Sequence, residues 1–161
     1  MGIRIISGGL LIAGTIAPIS FIAAPAASAS PSCGAISSSV VQSTLGLKVK
    51  SPTSKSGSNS YYGFNEKTLT CKYVGSKATV YLAFGTPATS ANFSKFKASL
   101  GGLAVPGLGS AAFKTVSYDS QHKEYFELAA LVTGKAIITV NAPNVTSAGE
   151  VALMKKAIAA A

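Results

Sequence analysis

The sequence predicts a single α+β domain, an antiparallel sheet with about three helices packed mainly on one face and one disulfide. Three observations lead there. Helical and strand periodicities alternate along the chain in the order helix, strands, helix, strands, helix. Behind an N-terminal leader, the remaining residues suffice for one domain and are too few for two of ordinary size. Two cysteines, Cys33 and Cys71, stand in that remainder, and an even count in an exported chain points to a bridge between them.

The leader has the order of a secretory signal peptide. Arg4 is its single charge, an apolar run extends from Ile5 to about Ala24, and Ala27-Ser28-Ala29 fits the small-residue cleavage pattern. Gly8, Gly9, Gly14 and Pro18 interrupt the run, which favours a cleaved signal over an uncleaved spanning anchor. Cys33 follows Ser30-Pro31-Ser32 rather than the leucine and small residues of a lipobox, so a lipid anchor is not expected. The expectation is a signal peptide over residues 1–29 and a freely secreted domain over 30–161, with no transmembrane segment in the mature chain.

Removing 29 of the 161 residues leaves 132, in which 13 lysines face 5 acids for a net charge of +8. Such an excess attracts anionic surfaces. The lysines stand singly apart from Lys155-Lys156, without the clustered arginines and aromatic platforms of a nucleic-acid binder. Composition therefore argues against nucleic acid as a partner, and anionic envelope polymers or a protein are the partners the charge favours.

Each element follows in turn. Ile36, Val40, Val41 and Leu45 recur at helical spacing and Gly46 ends the run, a short helix with Cys33 at its start. Residues 51–60 are polar and aperiodic and read as a flexible loop. Leu69, Cys71 and Tyr73 alternate with Thr70 and Lys72, a strand with Cys71 facing the core. Gly75-Ser76 reads as a two-residue hairpin turn into a strand over 78–84, which Gly85 and Pro87 end. Ser90 reads as the N-cap of a second helix, with Phe93, Phe96 and Leu100 on one face and Gly101 as its stop.

The glycine-rich run 101–109 lacks a preceding strand and a lysine-serine ending, which argues against a phosphate loop. Pro106, Gly107 and Gly109 read as a structural turn with positive-φ glycines. One or two short strands over 111–118 and a longer one over 123–133 follow. In the latter, Phe126, Leu128, Ala130 and Val132 face one way and Tyr125, Glu127 and Leu131 the other. A strand over 136–141 is apolar on both faces, and Ser147-x-x-Glu150 reads as a capping box opening a last helix.

This layout resembles an uncharacterised group of small secreted proteins and lipoproteins of actinobacteria. The residues that carry the likeness are the cysteine before a helix ending in Leu45-Gly46, the strand Thr70-Cys71-Lys72-Tyr73, and the run Val105-Pro106-Gly107-Leu108-Gly109-Ser110-Ala111-Ala112-Phe113. The resemblance implies an envelope or extracellular α+β domain and transfers no activity.

The ionisable side chains offer little chemistry. His122 is the only histidine and lies with Tyr118, Asp119, Ser120 and Glu124 in one short polar connection, whereas a nucleophile triad draws its members from separate elements. A paired-carboxylate hydrolase would choose from Glu66, Asp119, Glu124, Glu127 and Glu150. No metal or cofactor is expected, nor any catalytic residue. The run Tyr61, Tyr62 and Phe64, beside the polar loop, is the candidate binding surface. The expectation is a secreted, non-enzymatic envelope or extracellular binding domain, with a small secreted hydrolase acting on envelope material as the alternative.

Overall fold

The computed structural model describes residues 31–60, 62–118 and 124–161. The leader, Tyr61 and the Asp119–His122 group lie outside them. Within the described residues the predicted α+β architecture holds, built on one seven-stranded antiparallel sheet.

The chain opens with a 3-10 turn, Cys33–Ala35, and α1, Ser38–Leu45. Ser37 caps α1 through the Val40 N–H, and Gly46 closes it at φ 67, the left-handed conformation glycine adopts without steric cost. A meander follows: β1 (Thr53–Asn59), β2 (Glu66–Val74) and β3 (Thr79–Thr86). After α2 (Ser90–Leu100) comes a second meander, β4 (Leu103–Ala104), β5 (Ala111–Tyr118), β6 (Glu124–Val132) and β7 (Ala136–Asn141). The chain ends in α3, Ser147–Ala160. The strand order β1-β2-β3-β7-β6-β5-β4 joins the two meanders along a central β3–β7 seam.

Strand alternation divides the side chains between two layers. Cys71, Tyr73, Val80, Leu82, Phe84, Leu128, Ala130, Ile138 and Val140 point to one face and pack with α1 and α3. Val41 of α1 and Leu153, Met154 and Ala157 of α3 fill this larger core. The Cys33–Cys71 disulfide fastens the chain before α1 to the middle of β2. Two residues along, the buried Tyr73 hydroxyl donates to the Ile36 carbonyl at 2.6 Å, a second tie between the same segments. On the opposite face, α2 buries Phe93 and Phe96 against Phe113, Ala129, Leu131 and Ile137. Two of the three helices thus share one face, and α2 crosses the other on its way from central β3 to edge β4.

Four expectations need correction. Residues 51–60 hold an edge strand, β1, rather than a flexible loop. It pairs with β2 over seven residues, from Thr53↔Lys72 to Asn59↔Glu66. Among the described residues no helix covers either face of β1, whose side chains are exposed up to Asn59, so no apolar alternation marks it. The connection between β2 and β3 is four residues, 75–78, closed by the Gly75 N–H to the Ala78 carbonyl. The N-caps of α2 and α3 are Thr89 and Thr146, each one residue before the expected serine. Their hydroxyls accept from the Asn92 and Gly149 N–H groups. In both places a threonine precedes a serine, and either residue suits a cap.

That one-residue shift moves Glu150 out of the capping-box position. It sits one residue further into α3, is 3 % exposed, and accepts from the Ala142 N–H. Burial pushes its carboxyl up to about 7, and the Ala142 bond pulls the other way without compensating. In the unfolded chain the group titrates near 4.5. The folded state therefore holds a proton that the unfolded state has lost between those two values. Its stabilising share is complete below 4.5 and is lost as pH rises to 7. Glu150→Gln is predicted to be more stable than the parent at pH 8 by up to about 3 kcal/mol, and near-neutral at pH 4.5. Urea denaturation at the two pH values measures the difference, and equal effects at both would refute it.

The β4–β5 turn at the far end of the sheet is tightly built. Gly107 and Gly109 have φ of 78 and 56. A Cβ at Gly109 would also strike the Leu131 carbonyl oxygen, which accepts from the Ser110 N–H at 2.7 Å. Pro106 is exposed beside them while Leu108 is buried.

Candidate functional site: a pocket on the open sheet face

Because α2 covers only one end of its sheet face, no helix among the described residues covers the rest of it. The β3 residues there are small, Ala83 and Gly85, so the surface dips between flanking threonines of β2 and β7. The result is a pocket of about 200 Å³. Its floor is Thr68, Thr70, Ala83, Gly85 and Thr139. Tyr62, Phe96 and Ile137 form the wall toward α2, and Asn59, Glu66 and Glu127 complete the rim.

Each polar group is held in place. Glu66, at the start of β2, is buried and lies over Gly85, where an added Cβ would run into its carboxyl oxygen. Asn59, its partner across β1, donates from Nδ2 to Glu66 Oε2 at 2.9 Å. The other end of that amide, Oδ1, is buried and has no hydrogen-bond partner among the described residues. Tyr62 packs its ring on Phe96, with centroids 4.5 Å apart and planes at 55°. The turn carrying it is tethered to α2 by Lys95 Nζ, which donates to the Gly63 carbonyl at 3.2 Å.

The electrostatics follow from burial without a cation. Burial pushes the Glu127 carboxyl up from its ordinary value. It does the same to Glu66, and the Asn59 bond opposes the shift. Burial raises the Tyr62 hydroxyl as well, helped by the charges of Glu127 and Glu66, so this phenol stays protonated. Among the described residues no lysine lines the pocket. Lys72 instead sits over the Tyr81 ring further along the same sheet face, 5.9 Å from its centroid. A wider concavity of about 550 Å³ opens on the outer side, between Ser58–Ser60 and Pro87, and shares Asn59 and Glu66 with the inner pocket.

No family model, no curated protein and no solved structure matches this chain. The reading of the site therefore rests on its geometry.

Of the sequence candidates, Tyr62 lines the pocket, and Phe64 is half-buried against the α2 cluster and is not part of the pocket lining. Tyr61 lies outside the described residues. Cys33 and Cys71 form the disulfide on the opposite face, and Pro106, Gly107 and Gly109 sit at the β4–β5 turn, apart from the pocket. Among the described residues, no three metal-ligating side chains of the His, Cys, Asp and Glu types come together. Sequence reasoning placed Glu66 and Glu127 only among five possible acids. The available signal was Glu127 itself, a charge in the middle of a strand that is otherwise apolar from Phe126 to Val132.

Proposed function

We propose that this chain is a secreted, non-enzymatic binding domain of the cell envelope or extracellular space, whose ligand docks in the pocket of Tyr62, Glu66 and Glu127. The observation that carries the reading is the pocket itself, a concavity with an aromatic wall and a few fixed polar groups. The signal-like leader, the lysine excess and the resemblance to small actinobacterial envelope proteins support the location. Lysines exposed on elements from the α1–β1 connection to α3 give a diffuse attraction to anionic polymer, and the pocket adds a local contact.

The geometry favours binding over the hydrolase alternative. Glu66 and Glu127 belong to strands three places apart, β2 and β6, and Glu127 shares its row with Lys72, six positions along β2 from Glu66, so their backbones are separated by roughly 20 Å along the strands as well as about 14 Å across them. Paired catalytic carboxyls of glycoside hydrolases stand about 5–9.5 Å apart. Glu150 is a buried residue of α3 itself, on the other face of the sheet.

The test is a titration of ¹⁵N-labelled mature protein with soluble wall polysaccharide and peptide fragments. Amide shifts are expected to centre on Thr68, Thr70 and Thr139, and to disappear in Ala83→Phe, which fills the floor. Shifts confined to α3, or unchanged in Ala83→Phe, would overturn the assignment.

A further inference from the structure

The sheet has two margins of unequal kind. One is β4, two residues long. The other is β1, seven residues that pair with β2 on their inner side alone among the described residues. An edge strand turns every second N–H and C=O away from its neighbour, and proteins usually blunt such a row with proline, a bulge or repeated charge. β1 contains no proline, and Lys55 is its only charge. Its register with β2 runs one-to-one from Thr53↔Lys72 to Asn59↔Glu66, without a bulge.

Beside this open row lies a second concavity, on the sheet face that carries α1 and α3. Ser56, Leu69 and Phe84 stand in one row across β1, β2 and β3. Ser56 and Gly57 are too small to fill the space next to Leu69 and Phe84, which forms a concavity of about 370 Å³ flanked by Pro31 and Lys67. Lys67 is exposed and belongs to the next row, paired with Ser58.

We propose that β1 accepts an extended segment of a partner protein as an eighth strand, with an aliphatic side chain opposite Ser56 and a carboxylate opposite Ser58. Main-chain hydrogen bonds along Thr53–Asn59 supply the attachment, and alternate side chains supply the selection. The aliphatic group leans across Ser56 onto Leu69 and Phe84, and the carboxylate reaches over Ser58 to Lys67. The lysine excess of the chain favours the same acidic partner. A second copy of this chain fits the edge less well. Antiparallel pairing of two β1 strands about Ser56 presents only Ser54, Ser56 and Ser58 to this face, which leaves the apolar concavity unfilled.

The probe is the capped peptide Ac-Thr-Glu-Thr-Leu-Thr-Glu-Thr-NH2, titrated into ¹⁵N-labelled protein; its two glutamates offer a carboxylate opposite Ser58 in either strand direction. Amides of Thr53–Asn59 are expected to shift while Thr139 of the inner pocket stays still, so this result is independent of the pocket reading. Alanine in place of the central leucine is expected to weaken binding about tenfold. Lys67→Glu is expected to weaken it about fivefold, and to favour the same peptide with lysines in place of glutamates. Methylating the peptide nitrogens at odd or at even positions separates strand addition from side-chain docking. One set faces β1 and abolishes binding, and the other faces solvent and does not. Equal tolerance of both sets, or shifts centred away from β1, would overturn the proposal. So would β1 amides that shift with protein concentration alone, together with a dimer in sedimentation, since the edge then belongs to a second copy.

Discussion

Replacing Cys33 and Cys71 together by serine is expected to lower the melting temperature by roughly 15 °C. The bridge spans a sequence separation of 38 residues. In the chain-entropy account, closing a loop of that length removes about 4 kcal/mol of freedom from the unfolded state. At about 4 °C per kcal/mol for a domain of this size, that gives the expected shift. The location adds a structural cost. Cys33 belongs to the 3-10 turn that leads into α1, and α1 packs on α3 over the main core. Once the bridge is gone, the Tyr73–Ile36 hydrogen bond is the remaining buried polar tie between that segment and β2. Thermal melts of the double variant, and of the parent with and without reductant, provide the measurement. A shift under about 4 °C in both would mean that the α1 segment is held by packing alone.

Phe113→Ala is expected to cost about 3–5 kcal/mol and to loosen α2 ahead of the rest of the domain. Phe113 is fully buried, with the Phe93 ring 5.3 Å and the Phe96 ring 5.2 Å from its own. Gly102 closes the fourth side so tightly that a Cβ there would collide with the Phe113 ring. Removing the ring leaves a cavity that two helix-borne phenylalanines and a backbone turn cannot jointly fill. The larger core on the other face shares no residue with this cluster, so α1 and α3 have no reason to respond. Leu103→Ala is the control, because Leu103 is 67 % exposed and its truncation is expected to stay within about 0.5 kcal/mol of neutral. Urea denaturation gives the magnitude, and hydrogen exchange in 90–100 against 147–160 gives the location. A uniform loss of protection in both helices would overturn the claim of two separable clusters.

Much of this architecture was legible because burial writes a periodicity into the chain. Leu69, Cys71 and Tyr73, and then Leu128, Ala130 and Val132, alternate as strands because one helix-covered layer receives every second side chain. Gly46 and Gly101 mark helix ends because both adopt positive φ. β1 was hidden for the converse reason: it contributes hydrogen bonds to the sheet and almost no buried side chains, so only its backbone knows it is a strand. The phenylalanine stripe of α2 shows that the helix buries one side, but nothing local says which face of the sheet receives it. The pocket was the least legible feature. Asn59, Tyr62, Glu66, Ala83, Glu127 and Thr139 come from five strands and a turn, and only the strand order brings them to one surface.

The central seam has a consequence for how the molecule is made. Within each meander, partners lie close along the chain. Across the β3–β7 seam, Tyr81 pairs with Asn141 and Gly85 with Ile137, positions 60 and 52 residues apart. Bringing such distant segments together carries a loop-closure penalty that the hairpins escape. The two halves of the sheet can therefore take shape independently, and their joining waits on nearly the whole chain. Until that zipper closes, β3 and β7 are both apolar edges, the moment when a newly made chain is most exposed to pairing with the wrong neighbour.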